Sequence, residues 1–147
     1  MDAPTKGTRK TLLVEMVPHI SAGNVNISTE ARSDDEWRKR IGAWLSAGPV
    51  AIWIYNLKRR LDTGALAAVL TEDLWVDRQL GRNDAAIRYP NRALWIATWN
   101  GVVLSDEIAR RTIPIYLDSG LERPYLGETN GFHHPGLRGW VTETGAY

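Results

Sequence analysis

Two stretches of the chain are continuously apolar and rich in β-favouring side chains. They are residues 50–55, Val-Ala-Ile-Trp-Ile-Tyr, and residues 93–98, Ala-Leu-Trp-Ile-Ala-Thr. Uninterrupted runs of this length read as strands buried on both faces, the habit of parallel sheets. Residues 112–117 make a third run. It contains Pro114 and so predicts a strand at a sheet edge, because proline has no N–H for a ladder. Residues 25–27 and 85–89 offer two shorter strands.

Elsewhere the apolar positions recur at helical spacing. Residues 10–17 predict a helix with Leu12, Leu13 and Met16 on one face, stopped near Pro18. Ser33 followed by Glu36 three residues later is a capping box. It opens a helix running to Ala47, with Trp37, Ile41, Trp44 and Leu45 inward, which ends at Gly48-Pro49. Asp62 reads as the cap of a helix over 63–70, and Ser105 as the cap of a short one over 105–111. Residues 135–141 begin another. Residues 1–9 read as loop, and residues 71–82 are mixed, with Trp75 and Leu80 as apolar anchors. After Asp118 the chain turns irregular, through Pro124, Gly127, Gly131 and Pro135.

Short apolar strands alternating with helices predict an α/β fold with a mostly parallel sheet and helices on both faces. The length of 147 residues suits a single domain, 1–147. Hydrophobic residues make up 44% and charged ones 24%, an ordinary globular balance. A net charge of +1 leaves no global field to draw the chain onto DNA or a membrane, so such contacts would need local patches. The absence of cysteine removes thiol catalysis, disulfides and cysteine metal sites, and fits a cytoplasmic protein. No run of 18 apolar residues exists, so no membrane span is expected. Several of the seven tryptophans stand in strand-like runs, where a large buried ring explains them.

The stretch Gly7-Thr-Arg-Lys-Thr11 runs directly into the first helical pattern. It is close to the phosphate-binding loop G-x-x-x-x-G-K-[ST], with Lys10 and Thr11 in the last two positions. Lys10 would hold the β- and γ-phosphates and the Thr11 hydroxyl a magnesium ion, while backbone N–H groups of Gly7 and Thr8 cradle the anion. Arg9 stands where the loop normally has glycine, and Pro4 where it has the first one. Taken alone, the stretch is equally well a solvated basic turn.

Three longer stretches give the loop its context. They are residues 91–111 (Asn-Arg-Ala-Leu-Trp-Ile-Ala-Thr-Trp-Asn-Gly-Val-Val-Leu-Ser-Asp-Glu-Ile-Ala-Arg-Arg), residues 29–40 and residues 60–66. Together with the loop they resemble the AAA+ class of P-loop ATPases, most of all the ATPase module of phage- and plasmid-type primase–helicases. The resemblance covers about residues 2–141. It implies a P-loop three-layer sandwich that binds ATP and Mg2+, hydrolyses ATP to drive movement on DNA, and assembles as a homo-oligomeric ring. Asn100 matches the polar sensor of the attacking water. Arg110 and Arg111 match the arginine that reaches a neighbouring protomer's γ-phosphate.

The departures from the family pattern fall on the chemistry. Besides Arg9, the magnesium aspartate position is Tyr55, followed by Asn56, and Trp99 and Gly101 flank the sensor. A phenol does not replace a carboxylate at a metal. The strand that should precede the loop, and the helical lid that should follow residue 141, are expected to be missing. These departures keep a second reading open, a catalytically silent assembly module.

Other features have plain explanations. Lys58-Arg59-Arg60 reads as a solvated loop more than a contact to DNA, although with Arg110-Arg111 it would make a small DNA-binding module. His133-His134 lacks a third metal ligand, and His19 beside Pro18 reads as structural. Asp34-Asp35-Glu36 is a first-turn acidic run that suits a helix start.

Overall fold

The computed structural model describes residues 1–3, 7–18, 23–78, 86–126 and 132–144. Pro4, His19, Leu80, Gly127 and Gly131, singled out above, lie outside them. In chain order the elements are α1 (Lys10–Glu15), β1 (Val25–Ser28), α2 (Asp34–Ser46), β2 (Ala51–Leu57), α3 (Gly64–Val69), β3 (Leu74–Arg78), β4 (Ala86–Pro90), β5 (Leu94–Trp99), α4 (Asp106–Ala109) and α5 (Leu137–Thr144). A 3-10 turn spans Pro124–Leu126.

The fold is α/β, as the alternation implies. A three-stranded parallel sheet has the order β1-β2-β5, with Ile52 opposite Trp95 and Trp53 opposite both Ile27 and Ile96. β2 is central, and its first four residues are buried on both faces, which is why that run is continuously apolar. Ile52 and Ile54 join the main core with Trp37, Ile41 and Leu45 of α2, and with Leu66 and Val69 of α3. Trp53 points to the opposite face, where it lines a groove with Val14 and Met16.

Several local expectations are corrected by tertiary structure. The third sheet strand is β1, not residues 112–117. Pro114 lacks a donor there, and Ile113 stays 87% exposed. That segment pairs with Asp2, whose N–H donates to the Ile115 carbonyl and whose carbonyl accepts from the Leu117 N–H. Asp2 and Tyr116 thus form a parallel bridge. On its other side the Trp99 N–H donates to the Met1 carbonyl. Residues 1–2, read as loop from the sequence, are therefore inserted between β5 and residues 115–117. Residues 71–82, read as mixed, contain β3, which pairs antiparallel with β4 in a second, two-stranded sheet.

In α1 the inward residues are Val14 and Met16, whereas Leu13 is exposed. Ser33 caps α2 as expected, its hydroxyl accepting from the Glu36 N–H at 3.2 Å. Asp62 does not cap α3; it pairs with Arg60 instead. The N-cap of α3 is Thr63, and the carboxylate that accepts the Ala65 N–H at 2.9 Å and the Thr63 hydroxyl at 2.7 Å belongs to Asp34, in the first turn of α2. Ser105 is the N-cap of α4 by position, without a side-chain cap hydrogen bond.

Candidate functional site

The carboxyl ends of β2 and β5 open onto a cleft, the place where parallel α/β sheets present ligand sites. Its lining comes from three parts of the chain: Gly7, Thr8, Arg9, Lys10 and Thr11 at the start of α1, Tyr55 and Asn56 at the end of β2, and Thr98, Trp99 and Asn100 at the end of β5. The volume is about 260 Å³, near the lower end of small-ligand sites, which span about 300–1,000 Å³.

Each wall has a local cause. Gly7 takes φ +89°, which lets the loop turn without a side chain in the way. Arg9 is held at φ 59°, ψ 27°, the left-handed region that suits glycine, and it precedes α1 without a side-chain cap. Its guanidinium lies 5.1 Å over the Phe132 ring. Asn56 is also left-handed, at φ 54°, where the pairing of β2 with β5 shifts register between Ile54 and Leu57. The buried Thr98 hydroxyl oxygen ties this irregularity down. It accepts from the Trp53 indole and from the Asn56 backbone N–H, each at 3.1 Å.

Lys10 reaches across the mouth. Its ammonium donates to Asn100 Oδ1 at 2.7 Å and to the Thr8 hydroxyl at 3.4 Å. Burial lowers its pKa from the ordinary value of 10.5, and the nearby Asp2 charge opposes that shift. Asp2 Oδ1 is itself engaged by the N–H groups of Gly101, at 2.9 Å, and Ala3, at 2.8 Å. Tyr55 stands edge-on to Trp53, with ring centroids 5.3 Å apart.

The residues singled out from sequence thus divide. Gly7, Thr8, Lys10, Thr11 and Asn100 converge on one cleft, together with Arg9 and Tyr55. Arg110 and Arg111 are not part of it. Arg110 Nε donates to its own helix at the Asp106 carbonyl, and Arg111 donates to the Thr71 hydroxyl at 2.6 Å and to the Glu107 carbonyl. Asn56 and Thr98 are cleft residues not singled out as functional from sequence. Their place at the strand ends was the available signal.

Among the described residues the lining offers hydroxyl, phenol and amide groups, and two cations, but no carboxylate. That donor set does not suit Mg2+, which is ordinarily held through one or two carboxylates besides phosphate oxygens. Among the described residues no group of three or more His, Cys, Asp or Glu is placed to hold a metal ion. His133 and His134 meet edge to face, and His134 stacks on Trp140 at 4.0 Å. The basic run at 58–60 is partly neutralised: Glu30 pairs with the Arg59 guanidinium at 3.8 Å while also accepting the Lys58 and Arg59 backbone N–H groups, and Asp62 faces Arg60. Among the described residues, no helix is long and apolar enough to cross a membrane.

Comparison of the chain with protein-family models, with curated proteins and with solved structures finds no match.

Proposed function

We propose that the chain is a P-loop-type nucleotide-binding module of the AAA+ kind, related to the ATPase modules of primase–helicases, that binds ATP at the loop of residues 7–11 and hydrolyses it poorly. The observation that carries this reading is the convergence of Lys10 and Asn100, in hydrogen-bond contact, at the carboxyl ends of two adjacent parallel strands. In this reading Lys10, with the Thr8 and Thr11 hydroxyls, holds the phosphates. Asn100 exchanges its bond to Lys10 for one to the γ-phosphate or the attacking water. Arg110 and Arg111, outside the cleft of their own protomer, act on a neighbouring one in a homo-oligomer, and DNA is the partner of the assembly. Phosphoryl transfer depends on positioning and charge stabilisation, and the described lining, without a carboxylate, offers neither a metal anchor nor an acidic group to orient water.

The same feature favours a second reading, a silent assembly module that binds nucleotide without turning it over. Tyr55 occupies the wall where hydrolysis would need an acid.

The test is titration of the chain with ATP by calorimetry, beside the Lys10→Met variant, followed by phosphate release at saturating ATP. Binding that Lys10→Met abolishes supports the nucleotide site. Absence of binding under all conditions removes it. Turnover by the wild type decides for the enzyme reading, and binding without turnover for the silent module.

A further inference from the structure

Resting on the nucleotide reading, we infer that the cleft takes the triphosphate chain of ATP as a metal-free polyanion, with Arg9 and Lys10 supplying the charge that a divalent ion ordinarily brings.

Among the described residues the lining carries two adjacent cations and no acid. Neither cation is neutralised by a described residue. Lys10 is held by an amide and a hydroxyl, and Arg9 rests on an aromatic ring. None of the ion pairs among the described residues includes either one. The Asp2 charge reaches Lys10, but Asp2 is not part of the cleft lining, and its Oδ1 accepts the Ala3 and Gly101 N–H groups.

Such a site discriminates by charge. Magnesium neutralises part of a triphosphate, so the free chain interacts more strongly with a dication wall. A metal complex would find no carboxylate to take up its remaining coordination. Arginine suits the task better than a second lysine, because its planar fork meets phosphate oxygens in pairs. Arg9 is exposed, and its contact with Phe132 is a surface cation–π pair. Exchanging that contact for a charge-assisted bond to phosphate is favourable. Arg9 and Tyr55 then describe one altered site: the first adds a positive charge at the phosphates, and the second removes the negative charge that would have held the metal.

The experiment is titration of the full chain with ATP at low salt, once in EDTA and once in excess magnesium chloride. The expected result is affinity in EDTA at least equal to that in magnesium. Arg9→Gly, which suits the left-handed backbone, is expected to lose about tenfold of the EDTA affinity, the loss of one charge-assisted contact, with a smaller change in magnesium. Tyr55→Asp is expected to shift the preference towards magnesium. Binding seen only with magnesium overturns the inference and leaves the nucleotide site standing. Unchanged EDTA affinity in Arg9→Gly overturns the role given to Arg9. Binding in neither condition overturns both readings.

Discussion

Lys10 and Asn100 are 90 positions apart in the chain, and their side chains meet at 2.7 Å. The contact exists because α1 packs against β5, and Asn100 immediately follows β5. It fixes the direction of the ammonium over the cleft. Asn100→Ala removes that guide while leaving the core untouched. Stability should change by no more than about 1 kcal/mol, the usual net worth of one hydrogen bond. ATP affinity should fall, and a binding titration alongside a denaturation curve separates the two. Equal losses in both would show the contact to be structural.

Thr98 is a stronger structural point than its size implies. Its buried hydroxyl is the partner of the Trp53 indole N–H, whose side chain is 3% exposed. Thr98→Val keeps the shape and leaves that donor, and the Asn56 N–H, without an acceptor. The expected cost is about 1–3 kcal/mol, read from the urea midpoint. A midpoint equal to wild type would mean that both donors find other acceptors.

Asp34 joins two helices, since it lies in the first turn of α2 and accepts from the start of α3. The Ala65 N–H first, and then the Thr63 hydroxyl, hold its carboxyl below the ordinary value of 3.8. A carboxylate depressed in the folded state contributes stability that is fully present above its unfolded pKa, and that is lost as pH falls through the folded one. Unfolding measured downwards from pH 5 should therefore show a loss of stability below about pH 4 that Asp34→Ala weakens. At neutral pH the same substitution should cost about 0.5–2 kcal/mol, as for loss of a helix cap. An unaltered acid profile in the variant would assign that loss to other carboxyls.

Arg9 holds a backbone conformation that side chains avoid, at about 1–2 kcal/mol relative to the right-handed region. Arg9→Gly relieves that strain, but loses the Phe132 contact, about 0.5–1 kcal/mol, and frees the unfolded chain by about 0.4–1 kcal/mol, so the unfolding free energy should stay within about 1 kcal/mol of wild type. Chemical denaturation checks it, and a variant destabilised by more than that would show that the Phe132 contact outweighs the strain.

By itself the sequence determined what depends on local composition. The runs at 50–55 and 93–98 are apolar throughout, and they became the two strands with most of the sheet's pairing. Ser33 and Glu36 opened α2 where the capping pattern placed it, because both partners of the Ser33 cap lie within four residues. The loop residues Lys10 and Thr11 were recognisable because their spacing is itself the signal. What depends on distant partners was decided by tertiary structure. Residues 85–89 read as a short strand and form β4, but its partner β3 was not legible, since Trp75 is the only buried residue of β3 and the strand is defined by its cross-strand bonds. Residues 112–117 look like a strand but find a partner only at Asp2, and the Ile113 side chain stays in solvent. Asp34 caps a helix that begins 30 residues later than itself, a role that local spacing assigned to Asp62. The cleft belongs to the same class: local spacing singled out Lys10 and Thr11 and the resemblance Asn100, but Asn56 and Thr98 were missed, and the meeting of all five follows from the parallel pairing of β2 with β5 beside α1.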